Sequence, residues 1–538
     1  MYGGNGNIKR DPKTTQAWLI GSGIASLAGA VHLIHDAGVP PANIHILDVH
    51  SHAGGGIKSC GDPENGYVLY TGSLPYFHDR CVEQLLSLVP NADNPKRSLL
   101  DSIKEFDRAT SPKRGAPTRL IKHGDKGPEC LPAKSLQIGP KYRMELIKLM
   151  LENERTLGDK AIQDAFDEAF FKTNFWTLWS TTFAMQPWHS LVEFKRCLCK
   201  HLAEIEHLND VKALDRTKYT IYESVIMPIE SYLRSEGVDF HFNAKVTNLQ
   251  MNPKEALTTV SEIILKDNGE QKTIYVKPDD IVMVTLGSTT SATERGSNTN
   301  APPAIPQHNK EFLDDDWALW VDLMQASMDY GNPFNFHNNV DQSTLETFTV
   351  TLRDSDFMDR YEKLTHNKPG TGALLSFADS NWGLSISVPR QPVCSDQPSS
   401  VDVFWGYGLH PDKTGNFVHK PMCQCSGEEV LTEVLSQLGM PVEDILPKSI
   451  TNPVLMPMAT APLMPRRHDY RPDVIPAQSR NLALVGQYVE IPEDTTLSME
   501  YSVRGAQMAV FSAMKLNKHP PKIERHLLLS VFDLLGGA

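Results

Sequence analysis

Residues 18–48 read WLIGSGIASLAGAVHLIHDAGVPPANIHILD. An apolar run at 18–20 leads into Gly21-Ser22-Gly23-Ile24-Ala25-Ser26. Leu27, Ala30, Val31, Leu33 and Ile34 then recur at helical spacing, and a second apolar run, 44–47, ends on the acid Asp48. Strand, glycine turn, helix, strand and acid in that order describe the dinucleotide-binding βαβ unit. Gly21 allows the tight turn, and Gly23 lets backbone approach a pyrophosphate whose charge rests on the helix N-terminus. Ser26 stands where a third glycine is usual and is small enough for close helix–strand packing. Asp48, 27 residues after Gly21, is placed to accept from a ribose hydroxyl. A helix that merely started on glycines would need neither the second strand nor the acid.

Other stretches fit later passes of the chain at the same site. The cluster Gly54-Gly55-Gly56 follows the second strand closely, where it lets backbone pass near a bound cofactor or serves as a loose loop. The apolar run 281–285 ends in Leu286-Gly287-Ser288, and the run 482–485 ends in Gly486, with Asp494 and a helix from about Met499 behind it. Between these the pattern is mixed. Strands are expected at 67–70, 238–242, 245–251, 263–266, 273–276, 348–352, 373–377, 384–388 and 401–407, and helices at 81–89, 141–208, 221–237 and 428–438. Residues 90–140, polar and rich in proline and lysine, read as an irregular insertion, and 289–310 as a loop. The aromatic stripe from Phe166 to Phe183 suits either a core or an apolar ligand channel.

The totals exclude several classes. A chain of 538 residues exceeds one core, so at least two domains are expected. A net charge of −13 without a basic face argues against nucleic acid as a partner. No run reaches the roughly 18–20 apolar residues needed to span a bilayer, and the first residues lack a signal-peptide core, so a cytoplasmic location is expected. The close cysteine pairs, Cys197/Cys199 and Cys423/Cys425, match neither a redox motif nor a zinc knuckle; reduced thiols and no metal are expected.

Taken together, several long strings resemble the fatty-acid (oleate) hydratases, once catalogued as myosin-cross-reactive antigens. They include GSGIASLAGAVHLI from Gly21, AGGGIKSCGDPENGY from Ala53, FWTLWSTTFAMQPWHSLVEFKR from Phe175, SNWGLSISVPRQP from Ser380, YGLHPDKTGNFVHKPM from Tyr407 and LVGQYVEIPEDTTLSMEYSVRGAQMAV from Leu484. The resemblance spans almost the whole chain. It implies an α/β fold: an FAD-binding Rossmann-like, two-dinucleotide-binding domain with an inserted mixed α+β substrate domain and a C-terminal helical tail. The stretches 14–60, 221–290 and 470–515 would form the FAD unit, 61–220 and 291–469 the substrate unit, and 516–538 the tail. It implies FAD as cofactor and water addition to a cis double bond of a long-chain unsaturated fatty acid, or similar apolar molecule, without net redox change. Monomer or homodimer and a peripheral membrane contact are further expectations. The tail, with apolar residues along 523–535 and Lys518, Lys522 and Arg525 toward headgroups, is the candidate for that contact. The cofactor positions implied are Gly21, Gly23, Ser26, Asp48, Gly54, Gly55, Gly56, Gly287, Ser288, Gly486 and Asp494.

The catalytic positions depart from the family pattern. Leu74 stands at the position of the family's water-activating glutamate, Cys197 at its proton-donating tyrosine, and Pro462 at its amide near Thr460. Leucine can neither donate nor accept a proton, and a thiol is a weak hydrogen-bond donor of short reach. General acid–base groups contribute about 10²–10⁴-fold each, so other groups must serve. The candidates are His78 as base and Tyr76 as donor, with Thr460 retained from the pattern, Cys197 in the tyrosine's place, and Asp79 and His189 nearby. Four readings stay open: a hydratase with a rearranged acid–base set, a non-redox isomerase or cyclase of a polyene or terpenoid, a redox flavoenzyme, and a non-catalytic binding protein.

Overall fold

The computed structural model describes residues 9–70, 79–110, 117–124, 126–132, 138–205, 217–252, 257–305, 315–370 and 374–523. Leu74, Tyr76 and His78 lie outside the described residues, as does the tail beyond Ile523. Lys518, expected to face lipid headgroups, pairs with Asp36 at 2.5 Å near the end of the first helix and stays half exposed.

Five short strands make a parallel sheet in the order Leu482–Val485, Ile281–Thr285, Ala17–Ile20, Ile44–Leu47, Asp239–His241. The central strand pairs in register with both neighbours, Ala17 opposite Ile281 on one side and Ile44 on the other. Apolar runs suit a sheet covered on both faces, and here they are almost entirely buried. The helix Ile24–His35 lies close against the sheet and against Met499–Ala513. A Cβ added at Gly29 would come within 2.8 Å of the Met283 side chain. Ser26, fully buried, makes the expected close helix–strand contact, its Oγ 3.2 Å from Thr285 Oγ1, and Gly29 adds a second close approach.

The second large element is an eight-stranded mixed sheet, ordered Glu294–Arg295, Ser449–Met456, Leu345–Leu352, Asp402–Gly408, Leu384–Ser387, Leu374–Phe377, Thr118–Gly124, Gly127–Pro132. All its pairs are antiparallel except Leu374–Phe377 with Thr118–Gly124. Gly427–Gln437, closed by a Ser426/Glu429 capping box, covers part of it.

One expectation is corrected and one strand is new. Residues 90–140 are not irregular throughout: they hold the helix Leu99–Thr110 and the hairpin Thr118–Gly124/Gly127–Pro132. The hairpin's glycine-flanked turn was the available signal. Ser449–Met456 escapes detection because Pro453 interrupts it. Its neighbour on one side is a two-residue strand that pairs only with Val454 and Leu455, so little ladder is lost on that edge. The aromatic stripe is mostly core: Phe166, Phe170, Phe175, Trp176 and Trp179 pack with Phe194.

Candidate active site

Four of the five parallel strands deliver small or acidic residues at one edge of the sheet. Gly21 follows Ile20, Asp48 follows Leu47, Gly287 lies just past Thr285, and Gly486 follows Val485. All four line one cavity of about 560 Å³. This carboxyl edge is where open α/β sheets bind ligands. The glycines there are steric necessities. Gly21 has φ +95°, and a Cβ on it would stand 2.9 Å from Thr285 Oγ1. Gly54, at φ +122°, donates its N–H to the Ser22 carbonyl at 3.0 Å, so the second glycine cluster lies directly on the first turn. Gly55 approaches so closely that its Cβ would stand 3.0 Å from Gly23 Cα. Gly23 caps the first helix with no side-chain acceptor, so that helix presents uncapped N–H groups toward the cavity edge.

Asp48 is buried and internally engaged. Its Oδ2 accepts from both the N–H and the hydroxyl of Ser22 at 2.6 Å, and its Oδ1 from the N–H of His50 at 2.7 Å. A carboxylate offers about four acceptor sites, so Asp48 shapes the turn and keeps capacity for a ribose hydroxyl. Ser288 and Gly56 also line the cavity, and the Ser288 hydroxyl accepts from the Thr290 N–H at 3.2 Å.

The same cavity continues into an apolar half, walled by Phe183, Met185, Leu345, Leu374, Trp405 and Met456. Charged groups border it. Lys200 Nζ lies 3.1 Å from Asp494 and 3.4 Å from Asp79, and Asp494 in turn accepts from Arg504 at 2.7 Å. Burial pushes the Asp79 carboxyl up to about 7, with Glu500 and Asp494 adding to the rise and Lys200 opposing it. Asp494 goes the other way: burial would raise it, but Lys200 and Arg504 hold it below the usual carboxylate range. Asp79, Lys200 and Cys197 line the cavity.

The MCRA family profile matches residues 14–511. The chain belongs to the MCRA family. Among relatives of this MCRA-family chain, the "Oleate hydratase" of Streptococcus pyogenes serotype M49 (strain NZ131) is 35% identical over 94% of this chain and 86% of that protein. The "Linoleate hydratase" of Lactiplantibacillus plantarum is 29% identical over 92% of this chain and 93% of that protein. Among solved structures, cyclohexylamine oxidase from Brevibacterium oxydans IH-35A superposes with a TM-score of 0.53 at 12% identity, covering 93% of this chain and 99% of that one. Putrescine oxidase superposes with a TM-score of 0.54 at 10% identity and the same coverage. These two likenesses carry the Rossmann-type fold.

The MCRA-family chain gathers most of its sequence-expected residues in one place. Gly21, Gly23, Asp48, Gly54, Gly55, Gly56, Gly287, Ser288, Gly486 and Cys197 all line the cavity. Ser26 is buried against Thr285 and does not line the cavity, and Asp494 lies behind the wall in its ion pairs, with Thr495 and Thr496 on the wall in its place. Thr460 is buried with its hydroxyl donating to the Ser343 carbonyl at 3.1 Å, and Ala459 and Leu463 form the wall there. Burial raises the Cys197 thiol well above its ordinary value and drops His189 to about 3. His189 Nδ1 accepts from the Gln186 N–H at 3.0 Å, a structural bond. All eight cysteines are free thiols. His45, Asp239 and His241 bring possible ligand atoms within 4.8 Å of one another at the sheet edge, where Asp239 bonds both rings. Arg119, also on the cavity wall, was not singled out by sequence because its stretch read as irregular. Among the described residues no helix is long and apolar enough to cross a membrane.

Proposed function

We propose that this MCRA-family chain is a fatty-acid hydratase that adds water to a cis double bond of a long-chain unsaturated fatty acid, with no net redox change. The observation that carries the reading is the single cavity joining the glycine edge of the parallel sheet to an apolar wall. FAD is the cofactor, and the cleft fits it: Gly21, Gly23, Gly54, Gly55 and Gly56 leave backbone bare beside an uncapped helix start, and Asp48 stands at the next strand end. Gly287, Ser288 and Gly486 would border it. The stretches 14–60, 221–290 and 470–515 would constitute this nucleotide unit, and the remainder up to 469 the lipid unit. Bound FAD would supply an electron-rich, polarisable ring able to stabilise positive charge developing on an alkene.

Hydration forms one C–H and one C–O bond as the C=C π bond breaks, and water supplies the oxygen and a proton. A base must take a proton from water while an acid delivers one to carbon. Asp79 is proposed as the base. Its carboxyl lines the cavity and changes ionisation near neutrality, and Lys200 stabilises the ionised form. Tyr76 and His78, immediately before it in the chain, are proposed to complete the set as the donor side. Cys197, kept as a neutral thiol by burial, contributes contact rather than acid. Thr460 braces the loop through Ser343.

The test is turnover of oleate and linoleate with FAD and a reductant in ¹⁸O-enriched water. Label in a hydroxy acid supports hydration. A product of unchanged mass overturns it in favour of isomerisation or cyclisation.

A further inference from the structure

Arg119 lies in the strand Thr118–Gly124, next to Leu374–Phe377 in the mixed sheet. It is 2% exposed, yet it lines the cavity. Its Nε donates to the Leu374 carbonyl at 2.9 Å. Among the described residues its two terminal nitrogens have no hydrogen-bond partner and no carboxylate pairs with it. The groups that act on its charge are the phenols of Tyr361 and Tyr407, and Tyr407 shares the cavity wall. Burying a guanidinium without a counter-charge is costly.

The other buried arginines among the described residues do not bear that cost. Arg196, Arg466, Arg471 and Arg504 each face a buried carboxylate, and Arg10 donates all three of its nitrogens to backbone carbonyls. Among the described residues, Arg119 alone of the arginines combines burial, an open fork and a place on a cavity wall. Leu374, whose carbonyl it bonds, and Trp405, Leu345 and Met456 further along the same cavity wall suit a hydrocarbon chain. An apolar wall with one buried cation matches a long-chain carboxylate: the guanidinium fork binds carboxylate oxygens bidentately.

We propose that Arg119 is the carboxylate anchor of the cavity, holding the head of the fatty acid while its chain lies along the apolar wall toward the glycine edge. This rests on the fatty-acid reading above. Burial draws the guanidinium down to about 10, so it stays charged at neutral pH and the attraction persists there.

The experiment measures binding of oleate and of oleyl alcohol, which share a chain and differ in the head, to the FAD-loaded protein at neutral pH by titration calorimetry. The wild type should favour oleate, and Arg119→Met should erase that preference by about 30-fold or more while leaving the alcohol unchanged. Arg119→Lys, which keeps the charge and loses the fork, should fall between them. Retained FAD absorbance and melting temperature check the fold. If Arg119→Met does not fold, Arg119→Lys carries the test, and an oleate-to-alcohol ratio equal to wild type overturns the anchor. A wild type that prefers oleate alongside an Arg119→Met variant with the same preference overturns the anchor and leaves the fatty-acid reading standing. A wild type that binds neither compound overturns the fatty-acid reading and the anchor with it.

Discussion

Arg196 Nη2 donates to Glu490 Oε1 at 2.6 Å, with both side chains 2% exposed. The bond ties the helix Leu191–Ile205, part of the aromatic layer, to the segment that follows the last strand of the parallel sheet. Arg466 reaches the other Glu490 oxygen at 2.6 Å, and Arg471 lies 3.1 Å from Glu193. Removing one member of a buried ion group leaves an uncompensated charge. Arg196→Met should therefore cost about 3 kcal/mol of stability, read from urea unfolding at neutral pH. A loss below about 1 kcal/mol, the range of surface pairs, would show that the cluster does not hold the layers together.

The same carboxylate sets an acid limit. Burial alone would raise Glu490, but Arg196, Arg466 and Arg471 outweigh it and hold it at about 2, against 4.5 for a free glutamate. A folded-state value below the unfolded one means stability present above about 4.5 and lost as pH falls toward about 2. Melting temperature should drop across that window, and Glu490→Gln should start lower at neutral pH and flatten there. Equal slopes in the two proteins would assign the acid lability elsewhere.

Asp79 has the opposite sign. Its value is raised from 3.8 to about 7, so its ionisation opposes folding, and the stability present at low pH is lost as pH passes about 7. As a base it must be ionised. Turnover should rise with pH through about 7, and Asp79→Asn should remove that step and lower turnover by about 10²-fold or more without loss of stability at pH values above it. A variant retaining the wild-type pH profile would remove Asp79 from the chemistry.

Gly23 and Gly55 should separate cofactor binding from folding. A Cβ on Gly23 finds only Gly55 Cα, at 3.9 Å, whereas Gly55 has φ +56° and its Cβ would press within 3.0 Å of Gly23. Gly23→Val should thus fold near the wild-type melting temperature of the cofactor-free protein but purify colourless. Gly55→Val should lose both flavin and several degrees of stability. Yellow Gly23→Val protein would place the cofactor away from this turn.

The parallel sheet was legible in residues 18–48 because its signals are local: apolar runs of strand length, helical spacing, and glycines where no side chain fits. Gly21 is read correctly as the glycine of a tight turn, since its positive φ is a property of the turn itself. Other features are not local. Ser26 meets Thr285 as the motif implies, but the further close contact at Gly29 appears only because the packed sheet brings Met283 beneath it. Asp494 looks like a cofactor ligand in sequence, yet Lys200, 294 residues away, and Arg504 claim it. Arg119 and Leu374 are 255 residues apart and meet through a parallel strand pair. Sequence alone determined the dinucleotide fold and the family. Tertiary structure decided which acid is neutralised, which is poised near neutrality and which cation is left open on a cavity wall, because burial and distant partners set the energy of a charge.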